Sequence, residues 1–270
     1  MKKLLSLLLA VVMLTGCVLA FSACGKSDTA AIEEKGYFIC GITYYAPMNY
    51  FDDEGNLIGF DTDFATAVAE ELGLEVKFQL INWGSKYNEL NSGAIDIIWN
   101  GFTYGDEDGV PRSNYVDFTH AYLNNSQCIV VKKDNLAAAT SMDYFKGKTG
   151  AAEAGSSGEG VIKGIENAEL VPGVDSQNKA LMEVKGGTAD FAVIDVLMAE
   201  SIVGENDYAD LAVVTAVELE PEVYAIGLRK GSDFTAKVNA AIEKLSENGK
   251  LAEIAAKYDL SNALIPNIGK

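Results

Sequence analysis

The chain has 270 residues, which is too long for one small core and suits two α/β lobes of about 100–150 residues each. Hydrophobic residues make up 49% of the sequence and charged residues 22%, which is typical of soluble globular proteins. The formal net charge of −18 argues against a nucleic-acid partner, because phosphate binding needs a basic face. We interpret the acidity as a solvated surface that keeps the protein soluble.

The N-terminus has the pattern of a secretory signal. A short basic start is followed by an almost unbroken apolar run over residues 4–14. Two cysteines follow, in Leu14-Thr15-Gly16-Cys17 and Phe21-Ser22-Ala23-Cys24, and both sites resemble the lipobox of bacterial lipoproteins, in which the cysteine is acylated. An uncleaved membrane helix over residues 4–21 is the alternative, since the apolar run is just long enough.

We predict that residues 1–24 are a lipoprotein signal peptide and that residues 25–35 are a tether. Cys17 fits the lipobox better by residue type, whereas Cys24 fits better by context, because a polar segment follows it. We therefore expect acylation at Cys24, or else at Cys17, which anchors a protein without a spanning helix. The expected location is extracytoplasmic, on the outer face of the bacterial cytoplasmic membrane.

The remaining chain alternates between strand and helix patterns. The predicted strands cover residues 37–43, 76–80, 95–99, 127–133, 148–152, 191–194, 212–214 and 222–228. Three predicted helices begin at polar caps, at 61–63, 156–157 and 176. A further helix is predicted around 87–90, and two more cover 234–245 and 251–258 near the C-terminus. Such alternation indicates βαβ units and a mostly parallel sheet.

Short motifs then occur in an order that is typical of one family. They are Pro47, Gly59 to Phe64, Trp83 with Ser92-Gly93 and Asp96 to Ile98, Gly101 to Thr103, Val116 to Thr119, Asp190 to Asp195 and Leu228 to Gly231. From about residue 37 to 260 the chain resembles the extracellular solute-binding proteins, family 3, of polar amino-acid ABC importers. Each motif alone is weak, but their order across most of the chain is specific.

The resemblance implies a two-lobed α/β fold, the periplasmic-binding-protein-like fold of type II. Each lobe is then a mostly parallel sheet flanked by helices, and two crossing hinge strands near 130–135 and 218–224 join the lobes. Lobe 1 is expected to comprise residues 36–131 and 221–270, and lobe 2 residues 132–220. A ligand is expected in the cleft at the carboxyl ends of the strands.

A free amino acid carries a carboxylate and an ammonium group, and both need partners when they are buried. Arg112 is the predicted carboxylate clamp, because a guanidinium fork matches two oxygens and because Arg112 precedes Val116 by the spacing of the family. The loop 104–111 is longer than in the family and carries three acidic residues. A surface arginine that neutralises this loop is therefore the alternative.

Other residues complete the site that the resemblance implies. Gly155, Ser156 and Ser157 open a helix whose N–H groups suit the same carboxylate. Asp195, at the end of a strand, resembles the ammonium-binding aspartate of the family, with Thr103 and the Gly101 carbonyl beside it. Tyr45 and Trp83 resemble its aromatic walls. Further candidate ligand contacts are Asn100, Tyr44, Asn49, Asn124 and Glu153.

The predicted function is that of a receptor which closes by hinge motion around a free polar amino acid and delivers it to an ABC importer permease. Ile42 occupies a position where binders of basic amino acids often place an aspartate, so glutamine or a cystine-like ligand is preferred. We expect a monomer without cofactor or metal, because no metal-ligand spacing occurs. Cys40 and Cys128 lie in apolar strand patterns and are expected to be buried thiols, or else a disulfide.

Two other functions are compatible with the sequence. One is a dehydratase-like enzyme on the same fold, for which Glu153 is the one candidate acid, since His120 is expected to be structural. The other is a sensing protein that binds an amino acid and signals to a membrane receptor. We favour the binding protein over the enzyme, because no Ser/His/Asp set or phosphate-binding loop occurs in the sequence.

Overall fold

The computed structural model describes residues 27–269, and the predicted signal segment with Cys17 and Cys24 lies outside them. The helices are α1 (Asp28–Lys35), α2 (Phe60–Leu72), α3 (Lys86–Ser92), α4 (Ser157–Lys163), α5 (Gln177–Gly186), α6 (Val196–Ile202), α7 (Phe234–Glu247) and α8 (Lys250–Lys257). None of the helices in this part of the chain has the length and apolar character of a membrane span.

Sixteen strands complete the secondary structure between residues 27 and 269. They are β1 (Tyr37–Ile42), β2 (Tyr50–Phe51), β3 (Leu57–Ile58), β4 (Glu75–Leu80), β5 (Ile97–Ile98), β6 (Thr103–Tyr104), β7 (Asp106–Glu107), β8 (Val110–Pro111), β9 (Val116–Phe118), β10 (Leu123–Lys132), β11 (Thr149–Ala151), β12 (Glu169–Leu170), β13 (Phe191–Asp195), β14 (Leu211–Val213), β15 (Pro221–Tyr224) and β16 (Gly227–Arg229). The strands form two large sheets and the two hairpins β2–β3 and β7–β8.

The first sheet has the strand order β4-β1-β5-β16-β9, and we call it and its helices lobe 1. Strands β4, β1 and β5 run parallel, whereas β16 is antiparallel to both of its neighbours. Helix α2 packs with α7 and α8 and buries Phe60, Phe64 and Val68, which recur every four residues along one face. Helix α2 ends at Gly73, whose φ of 68° suits a left-handed C-cap.

The second sheet has the order β12-β11-β13-β10-β15-β6, and β14 also pairs with β10. We call the strands β11–β14 and the helices α4–α6 lobe 2. Strands β12, β11 and β13 are parallel, and β10 is antiparallel to β13. A separate cluster of buried side chains, including Ile129, Phe145 and Phe191, forms part of the core here.

Strand β10 changes its partner along its length. Its residues Leu123 to Ser126 pair with β15, and from Gln127 onward it pairs with β13 and then β14. Strands β10 and β15 are therefore the two connections through which the chain passes between the sheets. The partner change lies slightly before the predicted segment 130–135, while β15 falls within the predicted segment 218–224.

Both sheets are mixed, where the sequence pattern predicted mostly parallel sheets. The parallel strands in each sheet belong to local βαβ units, as expected. The antiparallel pairs arise where the chain crosses between the lobes, because β10 and β15 run in opposite directions. The two-lobed α/β architecture itself is as predicted.

The segment predicted as a tether is helical over most of its length. Helix α1 begins after Ser27, whose side chain accepts a hydrogen bond from the Ala30 N–H, and it ends at Gly36. Its apolar residue Ile32 is buried, and Arg229 holds Asp28 in an ion pair of 3.0 Å. These contacts with distant parts of the chain dock α1 on lobe 1.

The two cysteines within residues 27–269 are free thiols in the interior. Cys40 lies on β1 in lobe 1, and Cys128 lies on β10. Burial raises the pKa of both thiols well above its ordinary value, so both are protonated at neutral pH.

Candidate functional site

A small cavity of about 10 Å³ lies between the lobes. It is situated where β5, β11 and β13 end, so the residues that follow these strands point to one place. The lining residues are Trp83, Asn100, Gly101, Thr103, Arg112, Gln127, Glu153, Ser156, Ser157, Gln177 and Asp195. All of these residues except Trp83 and Gly101 have polar side chains, so the cavity suits a polar ligand.

The structure brings most of the predicted site residues together at this cavity. Tyr45 and Gly155 do not line it. Tyr45 lies behind Gly101, whose φ is 55° and at which a Cβ atom would lie only 1.7 Å from the Tyr45 hydroxyl. Tyr45 therefore supports the backbone at Gly101 and leaves the aromatic wall to Trp83. Trp83 itself packs edge-on against Phe102, with 5.5 Å between ring centroids.

Arg112 lies at one end of the cavity and is 1% exposed. Its Nη1 donates to the Thr103 carbonyl at 3.1 Å, and its Nη2 donates to the Gly155 carbonyl at 3.3 Å. Each of these nitrogens carries a second hydrogen, so the guanidinium group has the capacity to bind both oxygens of a carboxylate. Arg112 is buried and does not lie at the surface, but its Nε is also 3.4 Å from Glu107, so it pairs with the acidic loop as well.

A second buried cation, Lys86, lies beside Arg112. Glu107 is within 2.9 Å of the Lys86 Nζ and 3.4 Å of the Arg112 Nε. Lys86 also donates to the Gly155 carbonyl at 3.0 Å. No sequence signal indicates the role of Lys86, because a lysine at the start of a helix usually lies on the surface.

Asp195 lies at the other end of the cavity and is held by three amides. Its carboxylate accepts hydrogen bonds from Asn125 at 2.6 Å, from Gln127 at 2.7 Å and from Gln177. Gln177 also accepts the Asp195 backbone N–H at 2.9 Å, which fixes the residue at the end of β13. Asp195 has no cationic partner within residues 27–269.

Two further carboxyl groups lie near Asp195. Glu222, on β15, accepts hydrogen bonds from Thr103 at 3.0 Å and from the amides of Asn125 and Gln127. Burial and, to a lesser extent, the charge of Asp195 raise the pKa of Glu222 to about 7. The same two causes raise the pKa of Glu153 to about 8 against the opposing charge of Lys86, and one buried oxygen of Glu153 has no hydrogen-bond partner within residues 27–269.

Asn100 and Ser156 serve local structure as well as lining the cavity. The Asn100 amide donates to the Thr43 carbonyl at 2.8 Å and to Asn49 at 2.7 Å, and its oxygen accepts from Thr43. Ser156 caps helix α4 by accepting the Glu159 N–H at 3.2 Å, while Ser157 is the first residue of that helix. Both side chains thus position the backbone around the ligand space.

Several other candidates lie away from the cavity. Tyr44 contributes its carbonyl to an interlobe hydrogen bond from Asn178 at 3.0 Å. Asn124 is exposed and bonds to the Ala263 carbonyl, and His120 lies 2.8 Å from Glu243. Within residues 27–269 no group of three or more His, Cys, Asp or Glu side chains is arranged to hold a metal ion.

Comparison with known proteins identifies the family. The family model for bacterial extracellular solute-binding proteins, family 3, matches residues 38–261. The arginine-binding extracellular protein ArtP of Bacillus subtilis (strain 168) is 31% identical over 267 residues, which are 96% of this chain and 98% of ArtP. The L-cystine-binding protein TcyA of the same organism is 30% identical, with coverage of 96% and 97%.

A solved structure provides a similar comparison. It is the crystal structure of an ABC uptake transporter substrate binding protein from Streptococcus pneumoniae with bound histidine. It shares 33% sequence identity with this chain at a TM-score of 0.76 and covers 86% of this chain and 96% of its own.

The buried carboxyl groups predict how stability depends on pH. Glu153, Glu222 and Asp61 have raised pKa values of about 8, 7 and 7, so the folded protein holds protons that the unfolded chain releases. The free energy of unfolding of the ligand-free protein should therefore be highest near pH 4.5 and fall as pH rises to about 8. Each pH unit in this window costs up to about 1.4 kcal/mol per group.

Melting temperatures measured between pH 4.5 and 8.5 check this expectation. Glu153→Gln should flatten the decline, whereas the control Glu54→Gln, at an exposed residue outside the cavity, should follow the wild type. Parallel curves for Glu153→Gln and the wild type would show that Glu153 is already ionised in the folded state.

Proposed function

The chain belongs to the bacterial extracellular solute-binding proteins, family 3, and we propose that it is the receptor of an ABC importer for a free polar amino acid. Its fold is the two-lobed, type II fold of the amino-acid-binding proteins. The observation that carries the proposal is an interlobe cavity lined by both Arg112 and Asp195. An α-amino acid has a carboxylate and an ammonium group that match these two side chains.

The proposed binding mode assigns one charged group of the ligand to each end. Arg112 binds the α-carboxylate through its two Nη groups, with Ser157 beside it. Asp195 binds the α-ammonium group, with Thr103 and the Gly101 carbonyl as further partners. Trp83 covers the aliphatic part of the ligand. The cost of desolvating both ligand charges is thereby offset by ionic hydrogen bonds.

Closure of the lobes around the ligand is the proposed mechanism. We assign residues 36–131 and 221–270 to lobe 1 and residues 132–220 to lobe 2, with β10 and β15 as the hinge. Arg112 and Thr103 then belong to lobe 1, and Ser157 and Asp195 to lobe 2. A ligand that contacts both groups binds the closed form more tightly than the open form, and so it shifts the population towards closure.

The acidic end of the cavity bears on the identity of the amino acid. Glutamine or cystine is the preference from sequence, since Ile42 replaces the aspartate of many binders of basic amino acids. Glu222, however, is a buried carboxyl group beside Asp195 without a cationic partner among residues 27–269, and the charge of Glu153 is opposed only by that of Lys86. A ligand with a second positive group and no second carboxylate, such as arginine, compensates them better than glutamine or cystine does. ArtP, one of the relatives named above, is named for arginine.

A pair of near-isosteric ligands tests this preference. L-Arginine should raise the melting temperature more than L-citrulline, its neutral analogue, and should bind at least about tenfold more tightly by calorimetry at pH 7.5. In Glu153→Gln the difference should shrink, because one carboxylate that the guanidinium group neutralises is gone. Equal binding of the two ligands, or stronger binding of L-glutamine, would exclude a cationic ligand and support the preference for a neutral ligand that the sequence indicates.

Two substitutions test the site itself. Arg112→Lys keeps the charge but loses the guanidinium fork that binds both carboxylate oxygens, and Asp195→Asn keeps the shape but loses the charge. Each should weaken amino-acid binding by about 2–5 kcal/mol. The folded state should survive in both, as judged by circular dichroism. Arg229→Lys, at an arginine outside the cavity, is the matched control and should bind as the wild type does. Wild-type affinity in both site variants contradicts the binding mode.

We further propose that the protein is a lipoprotein on the outer face of the cytoplasmic membrane and passes its ligand to a permease. Cys24 is the preferred lipid site and Cys17 the second choice. Because α1 begins at Asp28, acylation of Cys24 leaves residues 25–27 as the link between the lipid and lobe 1. We expect the protein to act as a monomer.

Labelling with palmitate in cells identifies the acylated residue. The label should be lost in Cys24→Ser and kept in Cys17→Ser. If the label is lost only in Cys17→Ser, Cys17 is the acylated residue. If neither the wild type nor the variants take up the label, an uncleaved membrane helix is favoured.

A dehydratase-like activity is the second candidate function. The observation that favours it is Glu153, a buried carboxyl group with a raised pKa at the cavity, which suits a general acid or base. Recovery of the unchanged amino acid after prolonged incubation with the protein would argue for the binding function.

A further inference from the structure

The loop between β6 and β9 forms a hairpin that is longer than the resemblance to the family implies. In it, β7 and β8 pair through Asp106 with Pro111 and through Glu107 with Val110. The turn residues Asp108 and Gly109 have φ angles of 51° and 76°, as a two-residue hairpin turn with positive φ requires. The hairpin starts in lobe 1 and contacts helix α4 of lobe 2.

Glu107 faces inward from this hairpin towards two buried cations. Its carboxylate lies 2.9 Å from the Lys86 Nζ and 3.4 Å from the Arg112 Nε, and it accepts the Tyr87 hydroxyl at 2.8 Å. Lys86 is completely buried. Without Glu107, two adjacent buried cations remain without a counter-charge at this position, which is strongly unfavourable.

Lys86 and Arg112 also bind lobe 2 through a backbone carbonyl. The Gly155 carbonyl accepts hydrogen bonds from Lys86 at 3.0 Å and from Arg112 at 3.3 Å. Gly155 has a φ of 74°, and a Cβ atom there would lie 3.2 Å from the Lys86 Nζ and 3.6 Å from a Glu107 carboxylate oxygen. A glycine is therefore needed for this close approach of the lobes.

A second contact joins the tip of the hairpin to α4. Asp108 accepts two hydrogen bonds from Lys163, at 2.8 and 3.1 Å. Lys163 also donates to Glu159 at 3.3 Å, and Glu159 accepts the Gly155 N–H at 2.9 Å. Asp108 and Lys163 are exposed, so this ion pair contributes less than the buried one.

We infer that the β7–β8 hairpin is a closure element of this receptor, in which Glu107 positions Lys86 and Arg112 on the Gly155 carbonyl and Asp108 fastens the hairpin to α4. These bonds join the lobes through protein groups alone. They favour a closed or partly closed form of the protein and slow dissociation of a bound amino acid. The effect on the ligand rests on the proposed function, whereas the effect on closure does not.

The hairpin also makes closure sensitive to pH. Burial lowers the pKa of Lys86 to about 8, and the neighbouring Glu107 carboxylate opposes this effect. The charged groups that face Lys86 are Glu107, Arg112 and Glu153. Neutral Lys86 loses its ionic bond to Glu107, so the contact weakens as pH rises above about 8. Without the Glu107 charge, Lys86 loses its proton at a lower pH.

Small-angle scattering of the ligand-free protein tests the closure element directly. Glu107→Gln and Lys86→Met should each increase the radius of gyration at pH 7 relative to the wild type. Asp106→Asn removes the same charge from the same hairpin, but its side chain is exposed and makes no ion pair within residues 27–269, so it should leave the radius unchanged. An unchanged radius in Glu107→Gln and Lys86→Met, with melting temperatures that show folded protein, would overturn the inference.

Dissociation of L-arginine, followed by stopped-flow fluorescence, tests the effect on the ligand. The dissociation rate should rise about tenfold in Glu107→Gln, which corresponds to about 1.4 kcal/mol, and less in Asp108→Asn. In the wild type the rate should increase above pH 8, and in Glu107→Gln this increase should begin at lower pH, a shift that a purely structural role would not produce. A rise without any shift of the pH profile contradicts the role of Glu107 as a positioning residue.

The two experiments separate the two proposals. A wild-type protein that does not bind L-arginine, but whose radius grows in Glu107→Gln, contradicts the proposed cationic ligand and supports the closure element. A wild-type protein that binds L-arginine, with the same radius and dissociation rate in all variants, supports the receptor and overturns the closure element.

Discussion

The central constraint on this protein is the burial of charged groups between two lobes, with Asp195 out of reach of the buried cations. Arg112 lines the interlobe cavity, with Lys86 beside it and Glu107 as their counter-charge, whereas Asp195 lies among amides. Amides satisfy the hydrogen bonds of a carboxylate but do not neutralise its charge, so the acidic end is costly to close in the absence of a cation. A zwitterion of opposite polarity removes that cost at both ends.

The fold makes this separation possible because each lobe contributes different charged side chains to the interlobe region. The cations come from α3 and from the turn before β9 in lobe 1, whereas Asp195 and Glu153 follow strands of lobe 2. Glu222 lies on β15, one of the two strands that cross between the lobes. Opening at the crossing strands therefore exposes each set of charges to water, where its desolvation cost disappears. The charges thus couple ligand binding to the relative position of the lobes.

Sequence patterns predicted the parts of the structure that depend on local or family-wide regularity. The strand and helix periodicities located most elements, and the spacing between Arg112 and Val116 located the arginine that lines the cavity. Lys86 and Gln177 were missed because their roles depend on contacts with Glu107 and Asp195, which are distant in sequence. Helix α1 was missed for the same reason, since distant residues dock a segment that is mostly polar.

The arrangement of charges also bears on which amino acids the cavity rejects. Glu107 offsets one of the two cations beside it, so the basic end retains about one positive charge and suits a single carboxylate. The acidic end has carboxyl groups in excess, and an acidic amino acid would bring another negative group to it. Repulsion and the cost of burying that group would then oppose binding. Under the proposed binding mode, we therefore expect discrimination against acidic amino acids from the excess of carboxyl groups alone, without steric exclusion.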